Sequence, residues 1–268
     1  MRVRRDGTPE AWAGAGAALD AVMASPSPAK VLGRLAQTPD LETLLPDIAI
    51  QVGFDQRSPY HPEGDLFVHT HGVLERISAL TDDPDLRWAA LLHDSGKPES
   101  FWLDDKGVGH FYQSRTSGTE NHEVVSARIA RRVLAAFAIA PDRARRIERI
   151  VRSHMRLRFE TEKAARRFID KVGPDLVEPL LIHRQADHEG EGSAEDSIGR
   201  MRALIAKASS PAPAAAKGGL SVDGGALKGI GITGPRIGEV IATLRSEVSS
   251  GSLVNEREAL LTRARSLS

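Results

Sequence analysis

The chain has 268 residues, with 36 Lys plus Arg against 36 Asp plus Glu, so its formal net charge is zero. A hydrophobic fraction of 41% with no large net charge excludes wholesale disorder and argues against a protein that coats nucleic acid. The absence of cysteine excludes disulfide scaffolds, thiolate zinc sites and cysteine nucleophiles. No apolar run reaches the ~18 residues of a membrane span. The N-terminal MRVRRDGTPEAWAG lacks an apolar signal core, so a cytoplasmic protein with no membrane partner is expected.

In chain order the pattern is helix after helix, and the expected fold class is all-α. GDLFVHTHGVL (64–74) reads as a helix, and 85–93 forms another behind Asp83-Pro84, where proline at the first helical position costs no hydrogen bond. FWL and HFY, within Phe101–Tyr112, flank the turn-like 104–107 and predict a small hairpin. The polar stretch 113–121 reads as a loop. Val125, Ile129, Val133 and Phe137 form one stripe of a helix over 123–138. Pro141 opens the next, with Ile147, Val151 and His154 on one face, and Pro174 opens another over 174–188. Residues 208–219 (ASSPAPAAAKGG) read as a linker. Beyond it, helices are expected over 235–248 and 256–266, the latter capped by Asn255 with Glu258.

Charge is uneven despite the zero total. Residues 142–167 hold ten Lys/Arg against four Asp/Glu, and 187–196 hold five acids and no base. Taken alone, these read as a solvated basic face and an exposed acidic loop.

The nine histidines say little as a count. Their positions say more. His93-Asp94 ends an apolar helix, and an adjacent imidazole and carboxylate can bind one divalent ion or let the carboxylate bridge two. Gly96 would let the chain turn tightly, and Lys97 offers a cation to a phosphoryl oxygen. His69, His122, His154 and Asp187 each fall on a separate predicted helix. A bundle can aim all of them inward. His69, His93, Asp94 and Asp187 would satisfy one ion; His122 and His154, sharing Asp94, would serve a second.

The order H…HD…H…H…D resembles the HD superfamily of metal-dependent phosphohydrolases, with HDSGK standing where that family has HD-apolar-GK. QRSPYHPEGDLFVHTHGVL, LRWAALLHDSGKPES, HFY, NHE and RRFIDKVGPDLVEPLLIHRQAD look like the C-terminal half of bacterial CCA-adding enzymes and related tRNA nucleotidyltransferases. The resemblance extends through AVMASPSPAKVLGRLAQTPDLETLLPDIAIQVGFDQRSPYH, similar to their neck, and through GALKGIGITGPRIGEVIATLRSEVSSGSLVNEREALLTRA, similar to their body and tail. It implies an HD-domain helical bundle with a small hairpin and a C-terminal helical tail module. The implied organisation is an N-terminal helical neck (1–60), an HD domain (61–207), the linker (208–219) and a C-terminal helical module (220–268). One departure stands out: the family runs from HFY almost directly into Gly-His-Glu, whereas QSRTSGTE intervenes here before His122. The first 60 residues contain neither a phosphate loop nor a paired-carboxylate D-x-D, so nucleotide addition to tRNA is not expected.

The resemblance implies phosphoester hydrolysis with one or two divalent ions (Mn, Fe, Ni, Co or Mg) and picks His69 over His71 as ligand. Asp94 and Lys97 are the expected catalytic residues. Arg152, Arg156 and Arg158 are expected to hold a second phosphate or an RNA backbone, and His61 either lines the mouth of the site or caps the helix that follows it. The expected substrate is a nucleotide, or a 2′,3′-cyclic or terminal phosphate of RNA, with a tRNA or RNA contact. His110 reads as structural, and His183 and His188 as lying behind the ligands or on the surface. Two other readings stand beside this: a di-iron HD-type oxygenase acting on a small organic substrate, and a non-catalytic RNA-binding module.

Overall fold

A computed structural model describes residues 9–58, 64–114, 118–188, 193–209, 219–249 and 252–267. The chain divides into two compact units, Met1–Ile205 and Ala206–Ser268.

The first unit opens with helices α1 (Pro9–Ala24), α2 (Pro28–Leu35), α3 (Asp40–Leu44) and α4 (Pro46–Ala49). Helices α5 (Leu66–Leu80), α6 (Pro84–Leu92) and α7 (Lys97–Ser100) follow, then a two-stranded hairpin, β1 (Trp102–Leu103) with β2 (Gly109–His110). The strands are antiparallel, with Trp102 opposite His110 and Leu103 opposite Gly109. Next come α8 (His122–Ala136), α9 (Pro141–Ser153), a 3-10 turn at His154–Arg156, α10 (Glu162–Val172), a 3-10 turn at Pro174–Leu176, and α11 (Val177–Asp187). Helix α12 spans Ser193–Ser209. Its backbone is helical at residues 195 and 196, where the acidic run predicts a loop. Most of the expected linker lies outside the described residues.

Local chemistry sets the helix starts. Asp65 Oδ1 accepts from the Val68 N–H at 3.0 Å, and Asp83 Oδ1 from the Asp85 N–H at 2.9 Å. Each satisfies an N–H that has no intrahelical partner. Helix α6 is the axis of the unit: every residue from Asp85 to Leu92 is buried. Leu86, Trp88, Leu91 and Leu92 each contribute about 1.5–3 kcal/mol by leaving water. Val73, Leu74 and Ile77 of α5, Val133 and Leu134 of α8, and Ile147, Ile150 and Val151 of α9 complete the core.

Helix α1 is tied to this core. Trp88 Nε1 donates to Asp20 of α1 at 2.9 Å. The fully buried Arg87 donates to the Met23 and Ser25 carbonyls at 2.9 and 2.8 Å, so the end of α1 is held by a charged residue inside an apolar helix. Asp20 also takes two bonds from Arg143, whose hydrogen bond holds its carboxyl below the usual range.

The second unit contains α13 (Gly224–Lys228), α14 (Arg236–Ser249) and α15 (Arg257–Ser266) around Leu227, Val240, Leu244 and Leu260. Asn255 does not cap α15 as its sequence suggests. Glu256 holds the cap position, and Asn255 Oδ1 instead accepts from the Ser221 N–H at 2.9 Å. Among the described residues, no helix is long and apolar enough to cross a membrane.

Candidate metal centre

Five helix ends converge in the middle of the first unit. His69 lies in the first turns of α5, and His93-Asp94 follows α6. His122 opens α8, His154 follows α9, and Asp187 closes α11. Two triads form, His69–His93–Asp187 and Asp94–His122–His154, with the ligand atoms of each within 4.8 Å of one another. His69 and His93 Nε2 are 3.3 Å apart, and Asp187 Oδ1 lies 3.2 and 3.4 Å from them. His122 and His154 Nε2 are 3.2 Å apart.

Asp94 joins the triads. Its Oδ2 lies 3.4 and 3.2 Å from His69 and His93 Nε2, and its Oδ1 lies 3.3 and 3.7 Å from His122 and His154 Nε2. One carboxylate thus faces both triads, one oxygen each.

The donor chemistry fits a cation. Nδ1 of His93, His122 and His154 faces the backbone carbonyls of Ala90, Phe111 and Val151 at 2.8, 3.1 and 2.7 Å. A neutral ring carrying its proton on Nδ1 presents a bare lone pair at Nε2. In the second triad two such lone pairs and a carboxylate oxygen therefore meet with no donor among them. A metal ion between them removes that repulsion.

Burial opposes a charge on His93, yet the Asp94 and Asp187 carboxylates push its pKa up to about 10. His122 is pushed down to about 3, by burial first, with Asp94 opposing and the His154 and Lys97 charges assisting. Burial alone would raise Asp94 and Asp187. His93 and Lys97 around Asp94, and His69 and His93 around Asp187, hold both well below the usual carboxylate range.

Lys97 is buried, with Nζ 2.8 Å from Asp94 Oδ2, 2.7 Å from Gln56 Oε1 and 4.9 Å from the centre of the Phe111 ring. Gly96 matters for a different reason from the one its sequence suggests. Its φ of −86° and ψ of −10° are open to any residue. A Cβ there would fall 2.6 Å from the His122 carbonyl oxygen and 2.6 Å from the Ser126 nitrogen. Glycine is needed so that α8 can approach and deliver His122. The stretch between Tyr112 and His122, partly outside the described residues, does not displace that histidine.

The remaining expected residues are placed as follows. His61 lies outside the described residues. Arg152 reaches Glu123 at 3.7 Å, and Glu123 in turn lies 3.9 Å from His122 Nδ1. Arg156 is half-buried and Arg158 exposed. His71 faces away from the triads, against Gly33 of α2. His110 bonds Asp104 at 3.0 Å on the hairpin.

Two residues of α11 adjoin these side chains: His183, which the sequence places behind the ligands or on the surface, and Arg184, which it does not single out. His183 is buried with its ring 5.0 Å from His93 and 5.7 Å from His154, and neither of its nitrogens has a hydrogen-bond partner among the described residues. Burial, then the His93 charge, lowers its pKa well below the usual imidazole value. Arg184 is half-buried, where burial lowers its pKa, Asp187 opposes and Arg158 adds to the lowering. The i to i+4 spacing of His183 and Asp187 was the available signal for the first.

Residues 66–190 match the HD domain family, and both triads fall within that span. The relatives are more particular. An A-adding tRNA nucleotidyltransferase of Deinococcus radiodurans is 30% identical over 266 residues, covering 93% of this chain and 57% of that protein. A multifunctional CCA protein of Methylococcus capsulatus is 28% identical over 235 residues, covering 83% of this chain and 50% of that protein. Another, from Shewanella frigidimarina, is 38% identical over 93 residues, covering 34% of this chain and 22% of that protein. The chain resembles the HD-bearing half of such enzymes and spans about half the length of the first two.

Proposed function

We propose that the chain is a two-ion phosphohydrolase acting on nucleotides or on 2′,3′-cyclic or terminal phosphates of RNA. The observation that carries this reading is Asp94, one oxygen toward each triad. The relatives' names, which place them in tRNA chemistry, support an RNA-end substrate.

The ligand set is His69, His93, Asp94 and Asp187 for one ion and Asp94, His122 and His154 for the other. Nitrogen and oxygen donors rich in imidazole suit Mn, Fe, Co or Ni better than Mg. Bound there, such ions supply an activated water at neutral pH and polarise a phosphoryl oxygen. The protein supplies the rest. The backbone carbonyls of Ala90, Phe111 and Val151 fix the ring tautomers that present Nε2 inward. Lys97, held by Gln56, fixes Asp94 Oδ2 and offsets the carboxylate charge, and it would meet a phosphoryl oxygen as a point cation. Arg152, Arg156 and Arg158 supply positive charge outside the ligands.

The test is hydrolysis of a 2′,3′-cyclic nucleotide and of a nucleoside monophosphate by protein loaded with Mn or Ni. Activity that disappears in Asp94→Ala is expected. Wild-type activity in Asp94→Ala overturns the assignment.

A further inference from the structure

The basic run of residues 142–167 is two structures. Its first half is spent on the fold. Arg143 bonds Asp20 and Asp85, Arg146 bonds Asp83 and Asp85, and Arg149 bonds Asp175. In its second half Arg166 pairs with Glu162, but the side chains of Arg156, Arg158 and Arg167, with that of Lys171 beyond, make no hydrogen bond or ion pair with any other described residue.

These four cations gather around two adjoining depressions of about 230 and 320 Å³, which share Arg156 and Lys171. Arg149 and Arg152 add charge to the smaller one. The one carboxylate lining either depression, Glu148, is already bonded to Arg131. The buried rings of Phe159 and Phe168, 5.1 Å apart, make a rigid floor for the larger. Four like charges held together without partners repel one another, and a polyanion relieves that repulsion. Each depression is small, the larger lying at the lower end of the ~300–1,000 Å³ range of ligand pockets. That size suits one nucleotide unit rather than a duplex. The surface is concave and floored by buried rings, whereas membrane-binding faces project apolar side chains.

The groove also connects to the chemistry. Ser153, beside the ligand His154, lines the smaller depression.

We propose that the groove of Arg156, Arg158, Arg167 and Lys171 holds the backbone phosphates of a single-stranded RNA whose end reaches the metal centre. This rests on the RNA-end reading above but is tested separately from it. Binding of a labelled single-stranded RNA oligonucleotide to the full chain is measured in EDTA, so that metal chemistry plays no part. Two exposed α10 cations are removed together in Arg167→Ala/Lys171→Ala. The control Arg128→Ala/Arg145→Ala removes two exposed arginines that are ion-paired outside the groove.

A single-strand phosphate contact contributes a slope of about −0.7 in log K against log salt. Losing two should flatten the slope by about 1.4 and weaken binding roughly 25-fold at 0.1 M salt. The control should bind like the wild type. The proposal is overturned if the two double variants lose affinity equally, or if the groove variant loses none. It is also overturned if phosphatidylglycerol vesicles, and not RNA, show the groove-dependent binding. Loss of hydrolysis with groove-dependent RNA binding intact would count against the catalytic reading alone.

Discussion

Replacing Gly96 by alanine isolates one contact on which the second triad depends. The added Cβ would sit 2.6 Å from the His122 carbonyl oxygen, 2.6 Å from the Ser126 nitrogen and 2.7 Å from Val125 Cβ. Ordinary contact begins near 3.4 Å, so a gap of about 0.8 Å must open against helix backbone, which cannot rotate away as a side chain does. The Gly96 N–H bond to Ser126 Oγ, at 2.8 Å, is stretched in the same movement. Overpacking of this kind costs about 1–3 kcal/mol. For a unit of this size that is a fall in Tm of roughly 2–12 °C. The displacement acts on the start of α8, so His122 moves and His69, His93 and Asp187 do not. Thermal unfolding in EDTA followed by metal titration should show a destabilised protein that keeps one ion and loses the other. A Gly96→Ala protein with wild-type Tm and wild-type metal content would refute the reasoning.

Other perturbations test the frame around the centre. Arg87→Ala removes four side-chain hydrogen bonds and leaves a cavity inside α6. A loss of about 3–5 kcal/mol is expected, read as a lower midpoint in urea, and an unchanged midpoint would contradict it. His183→Leu replaces two unpartnered buried nitrogens, each costing about 1–3 kcal/mol, by an apolar group. The metal-free protein should gain about 1 kcal/mol, with Tm rising roughly 2–4 °C. A fall in Tm would show that His183 holds a partner essential to the fold.

The convergence of these histidines and aspartates was legible because chain order carries it. One histidine or aspartate per helix, a helix and a loop apart, is a property of sequence once helices are recognised. The small hairpin was legible for a similar local reason, with aromatic runs on either side of a turn. What needed the structure was anything decided by a distant partner. Gly96 looked like a turn residue because nothing in HDSGK shows that α8 will press against it. Arg87 sits in an apolar helix with no local mark that carbonyls 64 and 62 residues away will receive it. The basic run reads as one solvated face, yet Asp20, Asp83, Asp85 and Asp175 neutralise its first half from four other places in the chain. Asn255 looked like a helix cap because its other acceptor use, at Ser221, lies 34 residues back.

The most direct test of the two-ion centre is metal content per chain, measured by elemental analysis after reconstitution with Mn and removal of free ion. The account predicts two ions in the wild type, one in His122→Ala, and none retained in Asp94→Ala. One ion in the wild type, unchanged in His122→Ala, would contradict it.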